Sequence, residues 1–291
     1  MLLSVKGYLP NQIVNASYNY SPSEINLLLT IVSAYQGGTK LELSTGYLLA
    51  GFGNSNANNE YLRAAALELC RKPLEFYSDK KNSYIISAII SSAEFNFNSR
   101  KAVFTFNPDM AEILVKSKEK YTRFNFETLL KLESRYSKRL YLFCNQWRTK
   151  GVWQIDIERL RLVLALKNNY TQFNDFKTKV IEPAVKELNE KSEFKIEADF
   201  LKEGRSYKSL MLCFVLNKDR LTENAQVWQE LTRLGLKQWQ ATNVCVSLAE
   251  HEITQTLDLV RKNSHSITNL GGYLRQSFIQ KGVNFDSALY E

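Results

Sequence analysis

The chain has 291 residues, room for about two domains of ordinary size, and with 44% hydrophobic and 23% charged residues it is composed like a globular protein. Its 38 basic and 30 acidic side chains leave a net charge of +8, which favours a polyanionic partner, while 12 glycines and 5 prolines exclude a collagenous or low-complexity chain. The most apolar run, 84–93, is about half of what a membrane span needs and the start carries no secretory signal, so a cytoplasmic protein without a membrane partner is expected.

Residues 1–20 are polar, rich in Asn and Tyr and without clear period, and read as a flexible N-terminal arm. Ser21, Pro22, Ser23 and Glu24 mark a helix start, and Ile25, Leu28, Leu29, Val32 and Tyr35 follow at helical spacing up to Gly37 and Gly38. A short strand at 41–43, a helical piece at 45–52 and a polar turn at 54–59 lead to a second helix over 59–72, with Leu62, Ala65, Ala66 and Leu69 on one face. Pro73 stops it. Runs of β-branched and aromatic residues at 74–77, 84–90, 93–97 and 102–106, separated by polar turns at 78–82 and 98–100, then predict hairpins. Helices followed by a small antiparallel sheet describe a winged helix, a helix-turn-helix with a β-wing behind it.

The same order recurs as a second copy. A long helix at 134–147 is followed by a short strand at 153–155, a helix capped by Asp156 and running to Leu166, and a turn at Lys167, Asn168 and Asn169. A long helix at 171–189 then carries Phe173, Phe176, Val180, Ala184 and Leu188 as an apolar stripe. Strands at 194–200 and 210–216 flank a basic hairpin tip at 202–206. Short helices are expected at 224–234, 238–249 and 250–262, and Gly271 and Gly272 precede a last amphipathic piece. The expected class is α+β: a flexible arm (1–20), a first winged-helix domain (21–133), a second winged-helix domain (134–220) and a helical C-terminal extension (221–291).

The charge is unevenly placed. Residues 1–133 carry 14 basic and 12 acidic side chains, residues 134–220 carry 18 and 11, and residues 221–291 carry 6 and 7. The second winged helix is therefore the main candidate to face phosphates. A helix-turn-helix puts the start of its second helix in the major groove, which selects Thr171, Gln172, Asn174, Asp175, Lys177, Thr178 and Lys179, with Lys177 nearer the apolar side of an ideal wheel. Lys202, Arg205 and Lys208 fit a wing that follows the backbone. The equivalent first helix offers Asn58, Asn59 and Arg63, with Arg71 and Lys72 at its end, a weaker footprint suited to auxiliary contact.

The stretch from Tyr121, Thr122, Arg123 and Phe124 through Lys131, Leu132, Ser134, Tyr136, Arg139, Leu140 and Tyr141 resembles the junction between the halves of theta-type plasmid replication initiators, the tandem winged-helix proteins that bind iterons. A second block, from Phe176, Lys177, Lys179, Val180 and Ile181 through Pro183, Ala184, Lys186, Glu187 and Leu188 to Asn189, resembles the same family. The likeness spans about 21–217, and the 267–274 stretch loosely resembles the tails of some initiators. It implies a protein that binds origin repeats in duplex DNA, helps open the origin, recruits host replication proteins (helicase or initiator), and as a homodimer in equilibrium with monomer represses its own gene. Dimers in the family associate through the first winged helix. The junction motif (Thr122, Arg123, Ser134, Tyr136, Arg139) fits a structural role or, through Arg135, Lys138 and Arg139, phosphate contact; the interruption of the basic run at Thr178 departs from the family.

An enzyme reading lacks its residues. His251 and His265 stand fourteen apart with no His-x-His pair, neither is followed by Arg at the third position, and 51–56 has no Lys where a phosphate loop needs one. Neither cofactor nor metal is expected, since the four cysteines are dispersed. The alternative is a winged-helix transcriptional repressor without a replication role; a protein–protein adaptor is a third class.

Overall fold

The computed structural model describes residues 6–53, 57–78, 83–116, 121–148, 150–216, 221–237, 240–241, 244–245, 248, 250–263, 269–281, 283 and 285. The first part of the polar turn expected at 54–59, the tip of the turn at 78–82 and most of the helix expected at 238–249 lie outside the described residues. The chain divides into two compact units, 1–146 with 159–187 and 147–158 with 188–291. These do not follow the boundaries expected at 133/134 and 220/221.

The expected arm is part of the first unit's core from residue 6 onward. β1 (Lys6–Pro10) pairs antiparallel with β7 (Tyr121–Asn125), aligning Tyr8 with Arg123, and continues into the single turn α1 (Asn11–Val14). Leu9, Ile13, Val14, Ala16, Tyr18 and Tyr20 are buried. The reading as an arm misled because its apolar residues follow no helical or strand period, and their partner strand lies more than 100 positions away.

α2 (Pro22–Ala34) starts as its sequence dictates. The Ser21 hydroxyl accepts from Glu24 N–H while the Glu24 carboxylate accepts from Ser21 N–H, a capping box worth about 1 kcal/mol. β2 (Lys40–Ser44) and α3 (Thr45–Ala50) lead to α4 (Asn59–Arg71), which buries Leu62, Ala65, Ala66 and Leu69. Tyr84–Ile90, expected as one strand, is broken. β3 (Leu74–Ser78) pairs with β4 (Ser83–Ser87), whereas β5 (Ile90–Asn96) pairs with β6 (Lys101–Phe106), and β6 also pairs with β2. After β6 come α5 (Pro108–Lys116), β7, α6 (Phe126–Lys131) and α7 (Arg135–Gln146), and Leu140 to Cys144 of α7 are buried. α8 (Ile157–Val163) and the segment from Phe173 complete the unit.

In the second unit β8 (Val152–Asp156), β10 (Ser206–Leu216) and β9 (Phe194–Glu203) form one antiparallel sheet in that order. The C-terminal helices α11 (Leu221–Arg233), α12 (Glu250–Asn263) and α13 (Leu270–Gln280) share its core: Val152, Met211 and Cys213 pack in one cluster with Leu231, Ile253, Leu257, Leu274 and Phe278. Gly271 and Gly272 lie inside the first turn of α13, not before it, and Asn269 caps them by accepting from Gly272 N–H at 2.9 Å. No helix among the described residues is long and apolar enough to cross a membrane.

Candidate nucleic-acid interface

The helix expected over 171–189 begins two residues later and is not uniform. α9 (Phe173–Phe176) passes through a π-helical segment (Lys177–Ile181) into α10 (Glu182–Lys191). Thr171 and Gln172 therefore precede the helix, with Gln172 in the capping position. The delay has a physical cause. Ala165, Lys167 and Tyr170 all adopt positive φ (51°, 46° and 54°), so the connection takes a longer left-handed path than a three-residue turn. Arg161 on α8 closes it, donating to Tyr170 C=O at 2.5 Å and Thr171 C=O at 3.3 Å while its guanidinium lies 4.5 Å from the Phe176 ring.

Phe176, Val180, Ile181 and Ala184 face the core, and Thr171, Gln172, Asn174, Thr178, Lys179 and Glu182 are exposed. Lys177, placed by an ideal wheel nearer the apolar side, is partly buried, and its long side chain keeps 40% of its surface exposed. The positive charge here is held in short pairs. Lys179 Nζ lies 2.7 Å from Asp175 Oδ1, a bond and charge that raise the ammonium's pKa, and Lys177 Nζ lies 3.5 Å from Glu182 Oε1. The Thr178 hydroxyl donates to Asn174 C=O at 2.8 Å. Exposed pairs of this kind contribute little stability.

At the wing, the register pairs Glu203 with Ser206, so the hairpin loop is only Gly204 and Arg205, with Gly204 at φ 62°. The expected five-residue tip is thus mostly strand. Lys202, Arg205 and Lys208 are all exposed, Lys202 Nζ lies 4.7 Å from the Tyr207 ring centroid, and the register shift between Tyr207 and Ser209 puts Lys208 in a bulge.

On α4, Asn59 and Arg63 are exposed. Asn58 is exposed too, but its side-chain oxygen caps the helix, accepting from Tyr61 N–H at 3.0 Å. Lys72 is committed elsewhere, donating to both Glu24 carboxylate oxygens at 2.9 and 2.8 Å, and Arg71 faces Glu68 at 3.8 Å.

The junction motif splits by strand alternation and helix face. Thr122 is buried and donates to Asn11 Oδ1 at 2.8 Å; Arg123 is exposed, between the Tyr8 and Tyr121 rings, and its bond to the Tyr121 hydroxyl raises its pKa. Ser134 Oγ accepts from Tyr136 N–H at 3.1 Å, and the Arg135 guanidinium lies 4.6 Å over the half-buried Tyr136 ring. The phosphate-contact option fails for two cations. Lys138 is fully buried and donates to Leu129 C=O at 2.6 Å. Arg139 is buried, donates to the carbonyls of Val14, Ala16 and Val163 at 3.0, 2.7 and 3.3 Å, and stacks 3.7 Å from the Tyr18 ring centroid. Burial lowers its pKa, against the opposing pull of Tyr18.

Sequence reasoning missed four organising residues: Arg161, Ser17, Glu187 and Asn189. The Glu187 carboxylate accepts from the N–H groups of Glu133 and Ser134 at 2.6 and 3.2 Å, where α7 begins. Asn189 brackets Ile196, accepting from its N–H at 2.7 Å and donating to its C=O at 2.9 Å. Both lie in the second family-like block, so the available signal was the likeness of that block to the family, which extends to these polar positions beside the apolar stripe.

Residues 8–145 match the family model described as Initiator Replication protein, WH1, and residues 156–214 match the one described as Initiator Rep protein, WH2, together about two-thirds of the chain. A replication initiation protein from Escherichia coli is 25% identical over 233 residues, covering 73% of this chain and 71% of the relative. Among solved structures, the Pi initiator protein in complex with iteron DNA matches with a TM-score of 0.55 at 17% identity, over 74% of this chain and 98% of that one. The fold is two winged-helix domains in tandem.

Proposed function

The chain belongs to the Rep3 initiator replication protein family, and from that premise we propose that it starts plasmid replication by binding direct repeats in duplex DNA at the origin through both winged helices. The observation that carries the base-reading part is the exposed side of the helix from Phe173, where Asn174, Lys177, Thr178 and Lys179 face solvent opposite a buried Phe176, Val180 and Ala184. Asn and Lys in the first turns of such a helix match major-groove edges, and the exposed cations of the wing match backbone phosphates. The protein acts by binding, without catalysis or cofactor, in the bacterial cytoplasm on its plasmid. Opened origin DNA then passes to a host helicase or initiator, and a dimer represses the protein's own gene. Self-association fits β4, where Tyr84, Ile85 and Ile86 are consecutive, exposed and on the edge of a two-stranded sheet among the described residues.

Footprinting on DNA flanking the gene tests the reading: several direct repeats protected at regular spacing support it, and protection of one inverted promoter repeat alone replaces it with a pure repressor. In gel shifts, Asn174→Ala and Lys179→Ala should weaken binding to the repeat more than to random duplex. Arg205→Ala should weaken both alike and reduce the salt slope by about 1. For the dimer, Ile86→Lys should shift sedimentation toward monomer without loss of repeat binding.

A further inference from the structure

Residues 14–20, from the last residue of α1 to the approach of α2, touch both helix-turn-helix elements of the first compact unit. On one side, Ser17 exchanges backbone hydrogen bonds with Glu75 on β3, N–H to C=O and C=O to N–H, both at 2.9 Å. The Tyr20 hydroxyl donates to Lys72 C=O at 2.9 Å, the residue that ends α4. On the other side, the Ser17 hydroxyl donates to Leu162 C=O at 2.7 Å, and Arg139, which also holds Val14 and Ala16 C=O, reaches Val163 C=O. Those two carbonyls end α8, and Arg161 of α8 holds Thr171 C=O, just before the second recognition helix. Ser17 and Tyr20 are both buried.

Hydrogen bonds joined by short stretches of backbone therefore connect the end of one recognition helix, α4, to the start of the other. We propose that residues 14–20 are a spacer strap, with Ser17 and Tyr20 as positioning residues, which fixes the separation of the two recognition helices and so the number of base pairs between the two blocks the protein reads. The strap touches no DNA. Carbonyls at the ends of α8 and α4 are the handles, because a helix end offers C=O groups with capacity to spare: Leu162 C=O accepts from Ala165 N–H at 2.9 Å and takes the Ser17 hydroxyl as a second donor. The register consequence is large: one added base pair moves the second block by about 3.4 Å along the axis, and with about 10 pairs per turn also rotates it around the duplex. A rigid pair of readers must lose one block, whereas a loosened pair follows it. The proposal rests on reading both α4 and the helix from Phe173 as DNA-facing.

The test uses the full-length chain and duplex probes carrying its footprinted repeat, either unchanged or with one base pair inserted between the two protected blocks. Wild type should bind the inserted probe at least ten-fold more weakly than the native one. Ser17→Ala with Tyr20→Phe removes only the two side-chain bonds and keeps the Ser17–Glu75 pairing; it should bind the native probe within about three-fold of wild type and shrink the insertion penalty to three-fold or less. A melting curve on the same sample fixes a temperature at which the variant is fully folded, so the ratio of the two probes reads positioning and not stability. If the variant keeps the ten-fold penalty, the strap proposal is wrong while the two-module reading stands. If wild type shows no penalty, the two-module reading fails and takes the strap with it.

Discussion

Two cations in the junction motif show how a single residue can change role once its surroundings are known. Arg139 and Lys138 add to the positive balance of the 134–220 block, yet both are buried and bonded to backbone carbonyls. Truncating Arg139 to Ala leaves the carbonyls of Val14, Ala16 and Val163 without that donor, each orphan costing about 1–3 kcal/mol. Arg139→Ala should therefore lower the urea midpoint by the equivalent of about 3 kcal/mol or more, a loss that an unchanged midpoint would contradict. Lys72 gives a pH signature of the opposite kind. Burial alone would lower its pKa, but its bonds to Glu24 and Glu68 outweigh that and raise it. A raised lysine contributes its stability in full below the unfolded value of about 10.4 and loses it as pH climbs through the higher folded value. Thermal midpoints should stay flat in this respect from neutral pH to about 10 and then decline, with a smaller decline in Lys72→Met.

At the scale of elements, two glycines make different demands. Gly204 adopts φ 62° with nothing near the place of a Cβ, so Gly204→Ala meets only backbone strain, about 1–2 kcal/mol. Gly271 adopts no such φ, but a Cβ there would sit 2.6 Å from Gly235 C=O, a contact that backbone cannot easily yield. Gly271→Ala should cost more than Gly204→Ala in the same denaturation series, and the reverse order would mean that the close approach of Gly235 and Gly271 relaxes freely. The legibility of the sequence follows the same division between local and distant causes. Ser21 with Glu24, Pro73, Asp156 and the Phe176–Leu188 stripe act within one or two turns, and the helices they announce are present. β1, α5, β7 and α6 were not legible, because β1 and β7 exist through pairing across more than 100 positions, α5 is a short helix between two strands and α6 is only six residues long. The recognition helix was legible in kind but not in phase. A π-helical turn over Lys177–Ile181 adds a residue to the path and rotates the positions that follow, and Ile181, outside the expected stripe, is buried.

For the whole molecule, the question is whether residues 221–291 are an appendage or part of the second winged helix. Net charge assigned them away from DNA, and the likeness to the family is strong only up to about 217, so a separable extension was the natural reading. The packing argues otherwise, since the same cluster contains Val152, Met211 and Cys213 from the sheet and Leu231, Ile253, Leu257, Leu274 and Phe278 from the helices. Each fully buried side chain of this size contributes about 1.5–3 kcal/mol, so removing five of them takes away as much as the whole margin of about 5–15 kcal/mol that holds a domain folded. Cys213 reports on this directly. Burial, with the nearby Asp199 and Glu197 charges, pushes its thiol pKa far up, so in the full chain it should react slowly with a thiol reagent at neutral pH. In a chain cut after residue 220, Cys213 should label at the rate of an unfolded thiol, while Cys144, buried in the first unit, remains protected as an internal control. Protection of both cysteines in the shortened chain would make the C-terminal helices a true appendage, because only an intact sheet core can keep reagent from Cys213.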